Sequence, residues 1–223
     1  MSAPRPAGAA GPFAPCLNPA TVSGIPLEQF LALAAGAGFP MAEVSIQQAQ
    51  AQAHDADPMR DLLQELGVSV AAASGILPAG PVLPAPLLVA PDTYHACLDG
   101  LDQRLETMAA LGCTVATTVL NPRSPLPTAK ALHLARERIA HLARSTAAHG
   151  VRLAVETVSV HAGLPPELDG PHPVLGTLPE LAALLDETGA DGAGVLVDSF
   201  RWAAADADPA HITALGPHRI THV

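Results

Sequence analysis

A chain of 223 residues is long enough to bury the core of one α/β domain, and its 49% hydrophobic but only 3% aromatic content leaves that core to Ala, Leu and Val. The net charge of -10, with 11 Lys and Arg in all, argues against a nucleic-acid partner, which needs clustered cations. Cys16, Cys97 and Cys113 have no paired spacing and read as reduced thiols, and no run reaches the roughly 18 apolar residues of a membrane span, so the expected address is the cytoplasm.

Residues 1–12 are rich in Ala, Pro and Gly and lack the apolar stretch of a secretory signal, so they read as a disordered leader before one domain over residues 13–223. A short apolar run at 13–18, closed by Asn18-Pro19, is the expected first strand. Ser23-Gly24-Ile25-Pro26 opens a helix with Leu27, Phe30, Leu31, Leu33 and Ala34 in register, stopped at 36–38. The second strand is expected at 41–46, with Glu43 on one face beside Met41 and Ser45, and Val44 and Ile46 on the other. A polar Gln and Ala run at 47–53 gives way at Asp57-Pro58 to a helix over 59–66, closed by Gly67.

A third strand at 68–73 leads into a Pro- and Gly-rich loop at 74–91. Asp92 is expected to cap one helix running to Leu111, with Leu98, Leu101, Leu105 and Met108 on a stripe. The fourth strand is placed at 113–120. A long helix over 128–148 follows, with Leu132, Ala135, Ile139, Leu142 and Ala143 inside and Arg136, Arg138 and Arg144 outside. The fifth strand, 151–155, ends in the acid Glu156. A second Pro-rich loop at 161–176 precedes a helix capped by Thr177. The sixth strand, 194–198, ends in Asp198. A short helix begins at Asp208-Pro209, and 219–223 begin a seventh strand.

Strand and helix alternate with connections too long for hairpins, which makes the sheet parallel. No Gly-x-Gly-x-x-Gly follows the first strand and no Walker-type phosphate loop occurs, so a nucleotide-binding open sheet is disfavoured. The expected fold class is an α/β (β/α)8 TIM barrel, truncated in its seventh strand and so lacking the last strand and its flanking helices.

Glu156 and Asp198 each end a buried strand, and consecutive barrel strands bring both to one rim. Read singly, each caps the segment that follows. As a pair, they read as a shared acid/base or metal site for Mg²⁺ or Mn²⁺, or Zn²⁺ if a His joins. His161 and His172 follow Glu156, where each is a pocket contact or a solvated loop imidazole. His218 and His222 flank the seventh strand. Arg201 and Trp202 lie in the loop after Asp198, where Arg201 binds an anionic group or forms an ion pair with Asp198 itself. Ser74, Ser159 and Ser199 lack the Gly-x-Ser-x-Gly frame of a nucleophile elbow.

From Cys16 onward the chain resembles the xylose-isomerase-like TIM-barrel family. This is the sugar phosphate isomerase/epimerase group with its inosose and ketose epimerases and, more distantly, metal-dependent apurinic endonucleases. The resemblance is carried by residues 17–24 (LNPATVSG), 37–40 (AGFP) with Glu43, 104–112, 149–156, and 195–198 (VLVD), in that order and spacing. It implies a divalent metal (Mn, Mg or Zn) held by Glu156 and Asp198. His222 joins them only if its strand shifts register, which also turns it to the other face. It implies a sugar-like substrate met by Asn18, Glu43, His161 and Arg201. It further implies that Glu156 is the acid/base of a proton transfer beside a carbonyl.

Two departures from the family pattern stand out. Its Asp-x-x-His is here Asp198-Ser199-Phe200-Arg201, a cation in a neutral ligand's place, and the later His and Glu ligands fall past Val223. Weak metal binding and poor turnover are therefore expected, with self-association through open sheet edges. The alternative is a catalytically impaired barrel remnant that serves as a binding or partner protein. An endonuclease-like activity is disfavoured by the acidic charge.

Overall fold

Short, largely apolar strands alternate with helices and pair into one parallel layer flanked by those helices. The computed structural model describes residues 14–22, 24–52, 56–78, 86–158, 170–205 and 207–223. In order the elements are β1 (Cys16–Leu17), α1 (Leu27–Gly36), β2 (Met41–Ser45), α2 (Ile46–Gln52), α3 (Ala56–Leu66), β3 (Ser69–Ser74), α4 (Pro91–Leu98), α5 (Leu101–Ala110) and β4 (Val115–Leu120). There follow β5 (Arg123–Ser124), α6 (Thr128–Ala148), β6 (Arg152–Thr157), β7 (His172–Pro173), α7 (Leu178–Thr188), β8 (Ala193–Leu196), α8 (Ser199–Ala204), α9 (Pro209–Leu215) and β9 (Ile220–His222). The leader, Ser23, Ser159, His161 and much of both Pro-rich loops lie outside the described residues.

Seven strands pair in the order β1-β2-β3-β4-β6-β8-β9, all parallel, while β5 and β7 form a small antiparallel ribbon. The sheet is curled. From β2 to β9 is five strand steps in that order, about 24 Å in a flat sheet. Yet His222 Nε2 of β9 lies 2.9 Å from Glu43 Oε1 of β2. Only a barrel-like curvature brings those side chains together, and the expected TIM-type arrangement is thus present with these seven strands.

The core is one continuous cluster of Leu, Val, Ile and Ala. Helix α6 buries Ala131, Ala135, Ile139, Leu142 and Ala143 at helical spacing, and α7 buries Leu178, Leu181, Leu184 and Leu185. A capping box of Thr177 and Glu180 starts α7.

Several expectations need correction. The polar run after β2 is helical over most of its length, as α2, because Gln and Ala are good helix formers even without an apolar stripe. The single helix expected over 92–111 is two helices. Gly100, with φ of 70°, and Asp99 separate them, and Arg104 binds the break through the carbonyls of Asp99 (2.8 Å) and Cys97 (2.7 Å). Its Nε also donates to Ile76 O at 2.6 Å. The first of these helices is capped at Ala90 rather than by Asp92, with Pro91 in its first turn. Arg138, expected outside, is buried. It donates to the carbonyls of Leu87 (3.0 Å) and Val89 (2.8 Å) and stacks 4.1 Å over the Tyr94 ring. A residue that reads as polar on a helical wheel is here a strap for the backbone that packs beside it.

Candidate functional site

Carboxyl ends of parallel strands leave backbone groups and loop side chains facing one opening, and that is where the polar residues of this chain collect. A cavity of about 580 Å³ opens there, lined by Asn18, Glu43, Glu156, Asp198, Phe200 and His222 among others. Each of these arrives by a different route.

Asn18 follows β1 and caps the 3₁₀ turn Pro19–Thr21, its Oδ1 accepting from Ala20 N at 2.8 Å. Its Nδ2 donates to Glu43 Oε2 at 2.8 Å. Glu43 lies in β2 just past an irregularity in the pairing with β3, while its neighbours Ala42 and Val44 are buried on the opposite face. His222 reaches the cavity through a second irregularity. Val195 pairs with Ile220 but Leu196 pairs with His222, so Thr221 is the extra residue. With that irregularity the His222 imidazole meets Glu43. Glu43 joins β1, β2 and β9 through two oxygens.

Glu156 is near the end of β6, with a side chain only 16% exposed. Burial pushes its carboxyl up to about 7. The negative charges of Asp198 and Glu43 push the same way, and Arg201 opposes them. Asp198 follows β8 and caps α8, its Oδ1 accepting from the backbone N–H of Arg201 at 2.9 Å. The expected ion pair between Arg201 and Asp198 is replaced by another: the guanidinium Nε lies 3.7 Å from Glu156 Oε1. Helix geometry explains the change, because Arg201 sits in the first turn of a helix and not in a loop. Its N–H meets Asp198 while its side chain projects toward β6.

Glu156, Asp198, Glu43, His222 and Asn18 thus meet at one opening, with Arg201 beside Glu156. His161 lies outside the described residues. His172, in β7, pairs with Ser124 of β5 and is not among the residues lining the cavity. Sequence reasoning missed the exposed Phe200, which lines the cavity with its ring centroid 5.7 Å from the Arg201 guanidinium carbon.

A model of the xylose isomerase-like TIM barrel family matches residues 31–223. The chain belongs to that family. Among solved structures of this family's fold, it resembles a xylose isomerase domain protein from Alicyclobacillus acidocaldarius, at 25% identity and a TM-score of 0.78, over 94% of this chain and 71% of that one. A D-psicose 3-epimerase solved in the presence of D-fructose matches at 17% identity and a TM-score of 0.73, over 92% of this chain and 70% of its own. The IolI protein, solved with a zinc atom, matches at 16% and 0.72, over 92% and 70%. No curated protein gave a match.

Family members such as IolI hold a metal, and the donor types here, carboxylates and an imidazole, are of the right kind. Their positions do not fit one. Among the described residues no three His, Cys, Asp or Glu side chains converge as a metal group. His222 Nε2 and both Glu43 oxygens are engaged with each other and with Asn18, and Asp198 gives an oxygen to a helix N-terminus.

Proposed function

We propose that the pocket binds a ketose-like polyol and moves a proton on the carbon beside its carbonyl, as an isomerase or epimerase does. The observation that carries this reading is the gathering of Glu156, Asp198, Glu43, His222 and Asn18 on one cavity, with Glu156 largely buried and its carboxyl pushed up by that burial to about 7. A group that titrates near neutrality is suited both to take a proton from carbon and to return it. Removal of that proton sends its electron pair into the C–C bond and the carbonyl pair onto oxygen, giving an enediolate. Reprotonation at the other face, or at the neighbouring carbon, completes the reaction. Arg201 stands where it opposes the developing charge, and Asn18 and the Glu43–His222 pair offer hydrogen-bonding partners to hydroxyl groups. No step is assigned to a metal.

The D-psicose 3-epimerase among the similar structures supports a ketohexose as the first substrate to test. The three free cysteines agree with a cytoplasmic enzyme of small molecules. The test is proton exchange of D-fructose and D-psicose in D₂O, followed by NMR. The purified chain is expected to exchange the hydrogen beside the carbonyl, and Glu156→Gln to lose at least about 100-fold of that rate. Absence of exchange by the wild-type chain overturns the reading. A second reading, a sugar-binding protein without turnover, is favoured by the pairing of Glu156 with Arg201. It predicts sugar binding by calorimetry with no exchange.

A further inference from the structure

Arg201 engages both carboxylates of the strand-end pair with two different groups. Its backbone N–H donates to Asp198 Oδ1 at 2.9 Å, and its guanidinium Nε stands 3.7 Å from Glu156 Oε1. The cavity lining carries Glu43, Glu156 and Asp198 but, among the described residues, no Lys or Arg. Arg201, 23% exposed at its side chain and packed near Phe200, is the fixed positive charge that faces this acidic group.

A divalent ion needs several hard donors at about 2.0–2.6 Å and free of other partners. Here Glu43 is shared between Asn18 and His222, and Arg201 lies against the carboxylate that a metal would need most. A guanidinium and a divalent ion cannot both sit beside Glu156 without strong mutual repulsion in a partly buried site.

We infer that Arg201 is the resident cation beside this pocket: its guanidinium flanks Glu156 from behind the cavity lining and opposes a divalent ion at that carboxylate, and loss of its charge favours such an ion there. The guanidinium differs from a metal in being permanent and covalently attached, so the site's positive charge does not depend on metal supply.

The inference is tested by metal binding alone, without reference to turnover, so its failure is separable from failure of the proposed reaction. Metal content of the purified chain is measured by mass spectrometry, and Mn²⁺ and Zn²⁺ are titrated by calorimetry into wild type, Arg201→Ala, Arg201→Gln and Arg201→Lys. Arg201→Ala and Arg201→Gln are expected to bind Mn²⁺ at least about tenfold more tightly than wild type, while Arg201→Lys, which keeps the charge, stays near wild type. Two neutral variants are used so that a folding defect in one, read by circular dichroism, leaves the other to decide. The inference is overturned if wild type retains a full equivalent of metal, if the folded neutral variants bind no more tightly than wild type, or if Arg201→Lys behaves as they do.

Discussion

The two ends of the sheet carry similar residue types arranged to opposite effect. At the amino end, beside the starts of β6, β8 and β9, Arg219 pairs with Asp186 and Arg152 donates to His218 O at 3.2 Å. Opposite charges alternate there, and Asp186 is 54% exposed. At the carboxyl end three carboxylates of one sign share a cavity, with a single guanidinium against Glu156. The amino end balances its charges in solvent, where pairing contributes little. The carboxyl end concentrates one charge in a half-buried space, which costs stability and raises Glu156 to about 7. The same residue types thus form a solvated surface at one end and the candidate site at the other.

The strongest way to break this contrast is Glu156→Gln, expected to reduce exchange of D-fructose hydrogen by about 10²- to 10⁴-fold. If wild-type turnover uses Glu156 as a base, the rate rises as pH passes through about 7, and a flat profile from pH 5 to 9 contradicts that role.

The same substitution sharpens the contrast in stability. The folded carboxyl holds its proton up to about 7, whereas the ordinary value is 4.5. Between these values the folded state keeps a proton that the unfolded chain has lost. Stability from this group is therefore full below pH 4.5 and is lost as pH rises through 7. Glu156→Gln removes that loss, so the variant gains on the order of 3 kcal/mol over wild type at pH 8 and little at pH 4. Urea melts at the two pH values measure the difference.

Gly194→Ala tests the join between the two ends. A Cβ there would collide with Thr221 Oγ1 and lie 2.8 Å from Arg219 O, so β8 and β9 must separate. A loss of about 1–3 kcal/mol is expected, with weaker sugar binding because His222 moves with β9. Sugar affinity equal to wild type would show that the seat of His222 does not matter. The smallest effect belongs to the amino end: a double-mutant cycle on Arg219→Ala and Asp186→Asn is expected to give a coupling below about 1 kcal/mol and unchanged exchange rates.

Most of the strand and helix order was legible because apolar runs ending in Gly, Asn or Asp are local signals, as the span of α6 and the box at Thr177 illustrate. Glu156 and Asp198 were legible for the same reason, since a carboxylate ending an apolar run needs no long-range knowledge. What was not legible is long-range. The partner of Arg201 depends on α8 being a helix, the burial of Arg138 depends on carbonyls some 50 positions away, and the union of His222 with Glu43 depends on barrel curvature and a skipped residue at Thr221. Periodicity carries no record of such distances.

The Glu43–His222 bond joins residues 179 positions apart. Closing so long a loop is entropically costly, and it is recovered only when every strand between is already paired. The hydrophobic cluster is therefore expected to assemble before the pocket does. Amide exchange slowing in β4 and β6 before it slows around Ile220 would reveal that order, and would make acquisition of sugar binding the last event of folding.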